Sequence, residues 1–152
     1  MYHELYESYK KLSDIADIWT TNSDQNKIFF SNEFKIKDCH VIKNGVDIDK
    51  FNKPYPIPDD LKRIKKPIIG IAAKVTHLID VDLLNEVVDN IENCSFVLIG
   101  QILDRHIFNR LSKKIIYLGD KHYSDYPMYV KSFDICFIPY VVGEKEHGVD
   151  SI

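Results

Sequence analysis

Four short apolar runs, separated by segments of helical length, constrain this chain more than any other feature. They occupy residues 67–72, 95–100, 115–119 and 134–139. Each run is nearly continuously apolar and rich in Ile, Val or Phe, as expected for strands buried on both faces of a parallel sheet. Strands that alternate with helices and return by right-handed crossovers predict an α/β fold with a doubly wound parallel sheet, which is Rossmann-like.

The first connecting segment has the clearest helical pattern. In VDLLNEVVDNIEN, Val81, Leu84, Val88 and Ile91 fall on one stripe, and the polar residues between them face water. Asp80 stands immediately before the stripe, which predicts that it is the N-cap.

Composition narrows the class of protein. With 152 residues, of which 45% are hydrophobic, the chain can bury one sizeable core. The formal net charge of -3 argues against a nucleic-acid partner, because the phosphate backbone attracts clustered positive charge. One basic cluster, KRIKK at 62–66, is interpreted as a solvated helix end, or alternatively as a peripheral contact with an anionic membrane surface.

Cysteine usage and hydropathy predict a cytoplasmic protein. Cys39, Cys94 and Cys136 are widely spaced, form no CxxC motif, and are expected to be buried and reduced. No run approaches the roughly 18 apolar residues of a membrane-spanning helix, and the N-terminus has no apolar signal-peptide region.

The sequence before residue 67 has a different organisation. It shows an αβαβ pattern, with short strands predicted at 18–21 and 39–42 and a helix capped by Ser23 or Asp24. Asn44 and Gly45 are expected to form a turn with positive φ. Three prolines follow within five residues, so we divide the chain into 1–50, a linker at 51–66, and a domain at 67–152.

Several strings carry a resemblance to a known family. The junction TTNSDQNKIFFSNEF…CHVIKNGVDIDKF resembles that of group-1 (family 4) glycosyltransferases of the GT-B fold. PIIGIAAKVTHLIDVDLL, SFVLIG and IIYLGDKHYSDYPMYVKSFDICFIPY resemble their donor-binding domain, so the resemblance spans about residues 17–152. It implies that 1–50 is a remnant of the N-terminal acceptor domain and that 67–152 is an incomplete nucleotide-sugar domain. We therefore expect a chain truncated at both ends and incomplete for turnover.

The expected topology locates the ligand. In a sheet of order 3-2-1-4, ligands bind beyond the carboxyl ends of the first and fourth strands, where the strand order reverses. The loops at 73–79 and 140–152 follow those strands.

The first loop supplies a candidate cation. Lys74 stands where similar enzymes carry an Arg that holds the diphosphate, and the alternative is a solvated surface lysine. Thr76 and His77 are candidates for donation to phosphate or sugar hydroxyls, although a loop histidine is more often ordinary surface. The resemblance also shows departures, because Ala73 replaces the usual glycine and Ile79 replaces a second basic residue.

The last loop supplies the remaining candidates around the sugar. The resemblance implies that Glu144 contacts the donor sugar, and that the amides of Gly148, Asp150 and Ser151 begin a phosphate cradle at the next helix N-terminus. The alternative is a disordered polar tail.

Two glycines end strands at the same edge of the sheet. Gly100 ends the second strand, where the missing side chain lets a ligand or loop approach, or where a turn needs glycine. The resemblance places the base pocket beside Gly119, with Lys121 and Tyr123 as candidates. No histidine pair has metal-ligand spacing, so we expect neither a bound metal nor a cofactor besides the donor substrate.

The sequence therefore predicts a glycosyltransferase, expected to retain configuration, that transfers a sugar from a nucleotide-diphosphate donor to a saccharide or lipid-linked acceptor. Lys74 and amide dipoles would stabilise the departing diphosphate, while Glu144 orients the sugar. The alternatives are a noncatalytic nucleotide-binding or interaction module, such as an inactive fragment, and a sugar-nucleotide epimerase. A dehydrogenase is disfavoured because the first strand is not followed by GxGxxG.

Overall fold

The computed structural model describes residues 2–142, with side chains from residue 5 onward. In chain order its helices and strands are α1 (Tyr2–Ile15), β1 (Trp19–Thr21), α2 (Asp24–Glu33), β2 (Cys39–Val41), α3 (Ile48–Asn52), β3 (Ile68–Ala72), α4 (Val81–Asn90), β4 (Ser95–Ile99), α5 (Arg105–Arg110), β5 (Ile116–Tyr117), α6 (Tyr126–Ser132) and β6 (Ile135–Cys136).

The described chain divides into two compact units. The first contains the residues up to Val46, and the second is Asp47–Val141. The predicted linker at 51–66 belongs to the second unit, where Leu61 is 2% exposed and packs with Ile68. The assignment of 1–50 and 67–152 to two domains of a larger enzyme stays a prediction.

The first unit follows the predicted αβαβ pattern. Its strands β1 and β2 pair in parallel, and Ser23 caps α2 by accepting a hydrogen bond from the Asn26 backbone N–H at 3.1 Å. Aromatic rings join the helices to the sheet, with Tyr9 5.3 Å and Trp19 5.3 Å from the Phe30 ring centroid. Edge and tilted contacts of this kind are the arrangements that aromatic quadrupoles favour.

The NGVD segment corrects one expectation. Neither Asn44 nor Gly45 has a positive φ, so the predicted left-handed turn is wrong. The aspartate of the motif instead begins a helix, because the Asp47 carboxylate accepts a hydrogen bond from the Lys50 backbone N–H at 3.2 Å. An N-cap satisfies a donor that the first helical turn would otherwise leave unpaired.

The second unit contains the predicted doubly wound sheet. Its strands are all parallel and lie in the order β5-β4-β3-β6, which is the 3-2-1-4 order expected of the doubly wound fold. Successive side chains of β3 point to opposite faces. Ile69 and Ile71 pack with α4, whereas Ile68 packs with Leu61 and Tyr129 on the other face. Two hydrophobic clusters, one on each face, therefore hold the sheet.

Gly70 is required by the packing on the second face. A Cβ at this position would lie 1.9 Å from Cδ2 of Phe133, the C-cap residue of α6. The absence of a side chain in the middle of β3 lets the ring lie directly on the strand.

The central and edge strands differ in burial. β3 and β4 are buried on both faces, as predicted. β6 is not, because Ile135 is 54% exposed and Cys136 is also exposed. β6 pairs only with β3 in the described chain, so its outer edge has no partner strand there. The expectation that all three cysteines are buried is therefore wrong, because only Cys39 is buried, Cys94 is partly exposed and Cys136 is exposed.

The α4 prediction holds at its start and fails at its end. The Asp80 carboxylate accepts a hydrogen bond from Leu83 N–H at 2.9 Å, which confirms the N-cap. Val81, Leu84 and Val88 are buried, but Ile91 is 47% exposed since the helix ends at Asn90.

None of the described helices combines the length and apolarity needed to cross a membrane.

Candidate functional site

The loop after β3 is held in an extended conformation against the loop after β4. Val75 N–H donates to the Gln101 carbonyl at 2.9 Å, and Val75 forms an isolated parallel bridge with Ile102. Ala73 and Val75 are buried, while Lys74 between them is exposed. The alternation of an extended chain thus directs the Lys74 side chain away from the core.

Among the described residues, Lys74 is an available cation at the carboxyl end of β3. Its side chain makes no hydrogen bond or ion pair with any other described residue. An unpaired ammonium beside a parallel-sheet switch point attracts an anion, and phosphate is the anion that lysine binds as a point charge.

The neighbouring polar candidates are partly organised. Thr76 Oγ1 accepts a hydrogen bond from Leu78 N–H at 3.2 Å, which uses the hydroxyl as an acceptor and leaves its hydrogen for donation. His77 is exposed and has no side-chain partner among the described residues. Both can reach a ligand without first breaking a strong contact.

Gly100 connects three turns at this edge of the sheet. It has a φ of +136°, and a Cβ there would lie 2.0 Å from the carbonyl oxygen of Ala73. Its N–H donates to the Gly119 carbonyl at 3.0 Å. The predicted close approach at Gly100 is therefore made by the protein's own loop, and a conformation that favours glycine is also needed there. Gly119 likewise has a positive φ, of +83°.

Tyr117 reaches the same turn and was missed by the sequence reasoning. Its hydroxyl donates to the Gly100 carbonyl at 2.8 Å, and its ring makes an edge contact with Phe108, with centroids 5.1 Å apart. The sequence signal was a tyrosine two residues before Gly119 in a short strand. It could not be interpreted without knowing which carbonyl lies opposite the ring.

The two loops predicted to flank the crevice are joined to each other. Ile79 and Tyr140 form an antiparallel bridge, and Ile79 is 4% exposed. A buried apolar side chain cannot bind phosphate, so Ile79 does not supply the second basic residue that the resemblance implies at this position. Two backbone hydrogen bonds secure the bridge, from Asp80 N–H to the Pro139 carbonyl at 2.8 Å and from Val141 N–H to the Leu78 carbonyl at 2.9 Å.

Lys121 has a partner already. Its ammonium lies 2.9 Å from Oδ2 of Asp60 and 4.7 Å from the Tyr129 ring centroid. The Tyr129 hydroxyl donates to the same carboxylate oxygen at 2.8 Å. This contact joins the 51–66 segment to α6, so the Lys121 side chain is occupied. The Lys121 backbone N–H also has a partner, because it donates to Oδ1 of Asp120 at 2.9 Å.

The three groups perturb one another's titration. Burial alone would raise the pKa of Asp60, but the hydrogen bonds from Lys121 and Tyr129 outweigh burial and leave that pKa below its usual value. Burial alone would lower the pKa of Lys121, but the hydrogen bond to the Asp60 carboxylate outweighs burial and raises that pKa above its usual value. The pair is therefore ionised at neutral pH and stabilises the folded state.

The remaining candidates are Tyr123 and four residues of the last loop. Tyr123 is 64% exposed and lies under the Lys50 ammonium, 5.4 Å from its ring centroid. Four predicted site residues lie outside the described part of the chain; they are Glu144, Gly148, Asp150 and Ser151.

No other described feature competes for the role of ligand site. Among residues 5–142, no three His, Cys, Asp or Glu side chains come close enough together to hold a metal ion. A cavity of about 260 Å³ is lined by Asp89, Glu92 and Lys114 among others, at the end of α4 and the start of β4. That is the amino edge of the sheet, whereas α/β proteins bind ligands at the carboxyl edge.

Comparison with known proteins gives matches in structure alone. No protein-family model and no curated protein sequence matches the chain. The structure matches HepE from Anabaena, solved in complex with UDP and glucose, with a TM-score of 0.67 and 16% identity. It also matches TarM, with a TM-score of 0.59 and 14% identity.

The two matches establish the fold and its extent. Both neighbours are GT-B glycosyltransferases, so this chain has an α/β fold of the GT-B type. The matches cover 87% and 86% of this chain but 40% of HepE and 26% of TarM, so the chain spans less than half of either neighbour. The finer resemblance to the group-1 type stays a prediction.

Proposed function

We propose that this chain is the donor-binding part of a glycosyltransferase that transfers a sugar from a nucleotide-diphosphate donor to a saccharide or lipid-linked acceptor. The observation that carries the proposal is the unpartnered Lys74 ammonium immediately beyond β3, where the strand order β4-β3-β6 reverses direction. The fold supports it, because a neighbour of the same fold is complexed with UDP and glucose.

The proposed chemistry is electrostatic. As the bond between the sugar and the diphosphate breaks, negative charge grows on the diphosphate oxygens. The Lys74 ammonium stabilises that charge more than it stabilises the intact donor, and this difference lowers the barrier. Thr76 and His77 donate hydrogen bonds to the same phosphates or to sugar hydroxyls, and Glu144 orients the sugar. Retention of configuration and a cytoplasmic location form part of the same proposal.

The loop at 73–79 contains one lysine and no arginine, so the expected loss of affinity on removing Lys74 is that of one charged contact. A charge-assisted hydrogen bond contributes about 1.5–3 kcal/mol, so its loss is expected to weaken binding roughly ten- to hundredfold.

The test is calorimetric titration of the whole chain with UDP, GDP and UDP-glucose, using the wild type and Lys74→Ala. Saturable binding by the wild type and weakening in the variant are expected. Lys113→Ala is the matched control, because Lys113 is also exposed and without a side-chain partner but precedes β5 at the amino edge. It removes the same charge and is expected to leave binding unchanged.

Each outcome has a distinct meaning. A folded wild-type chain that binds none of the three nucleotides refutes the proposal. Equal losses in the two lysine variants would show a general effect of net charge and would remove Lys74 from the site. Release of free glucose from UDP-glucose, or its transfer to an added saccharide, would separate an enzyme from a noncatalytic nucleotide-binding module.

A further inference from the structure

We infer that Tyr117 is a positioning residue for the proposed donor site, acting through the backbone turn at Gly100. The inference rests on the proposed function, since it concerns the same site. Tyr117 is not itself expected to contact the donor. Its hydroxyl holds the Gly100 carbonyl, and Gly100 in turn contacts the segment that carries Lys74 and the turn that carries Gly119.

Every backbone group of Gly100 has a neighbour. Its N–H donates to the Gly119 carbonyl, its Cα lies against the Ala73 carbonyl, and its own carbonyl accepts from Tyr117. Gly100 is buried, so a carbonyl left without this partner would be a costly unsatisfied acceptor. The hydroxyl therefore fixes the orientation of a peptide whose rotation would disturb both neighbouring turns.

The hydroxyl is itself held in place by its ring. The ring packs edge-on against Phe108 of α5, so its position does not depend on the hydrogen bond. Tyr117→Phe keeps that packing and removes only the hydroxyl. The Ala73 carbonyl, which belongs to the peptide preceding Lys74, is then free to shift against Gly100.

The test compares nucleotide affinity in two tyrosine variants. Tyr117→Phe is expected to weaken UDP binding about two- to tenfold, the size of one net hydrogen bond. Tyr55→Phe is the matched control, because the Tyr55 hydroxyl also donates to a backbone carbonyl, that of Lys50, at 2.9 Å. It loses the same group and the same kind of bond but is expected to bind UDP as the wild type does. Thermal melts of all three proteins fix a titration temperature at which each is fully folded.

The outcomes separate this inference from the proposed function. Wild-type binding with an unchanged affinity in Tyr117→Phe overturns the inference and leaves the proposed function standing. An equal loss in Tyr55→Phe also overturns it, because the effect would then follow stability rather than position. No binding by the folded wild type refutes the proposed function and this inference together.

A measurement on the wild type keeps the inference testable if Tyr117→Phe does not fold. Saturating UDP is expected to shift the amide resonances of Gly100 and Gly119 in a ¹H–¹⁵N spectrum and to slow their exchange with solvent. Saturable binding that leaves both resonances unmoved overturns the inference.

Discussion

Replacing Gly70 with alanine tests the packing of the second face of the sheet. The new Cβ would lie 1.9, 2.1 and 2.3 Å from Cδ2, Cγ and Cε2 of Phe133. Ordinary contact begins at 3.4 Å, so the ring must retreat by about 1.5 Å. Gly70 has no positive φ, so the cost is one of packing alone. Overpacking of this kind destabilises by about 1–3 kcal/mol, and we expect Gly70→Ala to fall within that range.

Urea unfolding followed by circular dichroism measures this cost. The midpoint should fall while the slope with urea stays constant, because the surface exposed on unfolding is nearly unchanged. Gly45→Ala is the control, since no atom lies within 4 Å of a Cβ built there and its φ is not positive. It should change the free energy of unfolding by no more than about 0.5 kcal/mol, or stabilise slightly through the unfolded state.

A double-mutant cycle identifies the ring as the cause. Phe133→Ala removes all three clashing atoms and should by itself cost about 3 kcal/mol, the low end for a phenylalanine because this ring is only partly buried. In the double variant the alanine at position 70 has room, so its cost should disappear and leave a coupling of about 1–3 kcal/mol. Additive costs, or a Gly70→Ala protein as stable as the wild type, would refute the argument.

Two other substitutions test local electrostatics and capping. Asp60→Asn should lower the free energy of unfolding at pH 7 by about 1 kcal/mol, because the ion pair with Lys121 and the bond from Tyr129 are weakened. Because the pKa of Asp60 is lowered on folding, its contribution to the free energy of unfolding is present above its usual pKa of 3.8 and is lost as the pH falls through the folded value. Between about pH 5 and pH 2, Asp60→Asn should therefore lose less stability than the wild type, as measured by urea unfolding at each pH. Asp80→Ala should cost about 1 kcal/mol through the lost α4 N-cap, measured by thermal unfolding. Asp82→Ala, whose side chain is 89% exposed, should cost less than about 0.5 kcal/mol, and equal losses would contradict the capping argument.

Features that depend on residues close together in the sequence were predicted better than features that depend on distant residues. The caps at Ser23 and Asp80 were predicted correctly because a cap depends on residues within one turn. The left-handed turn at Asn44 and Gly45 was wrong, although that pair is typical of such turns. In the structure Asp47 begins a helix two residues after Gly45, which the dipeptide alone does not indicate.

The candidate site shows the same division. The loop after β3 could be located from the sequence, because the order of apolar runs predicts where the sheet reverses. The sequence could not show that Lys74 is unpaired while Lys121 is bound to Asp60, since the two partners are separated by 61 positions. The link from Tyr117 to Gly100 and the closure of Ile79 against Tyr140 also depend on elements far apart in the chain.

The sequence by itself determined where the apolar strands lie and that they alternate with helices, because periodicity is a local property. The order of the strands, and with it the edge that carries the candidate site, was expected from the doubly wound fold that this alternation indicates. The tertiary structure decided which side chains at that edge are occupied and which are available. It also decided that β3 is covered on both faces and that β6 is not. Those outcomes depend on which groups meet when distant segments pack. The residues next to a side chain in the sequence do not indicate which distant residue it will contact.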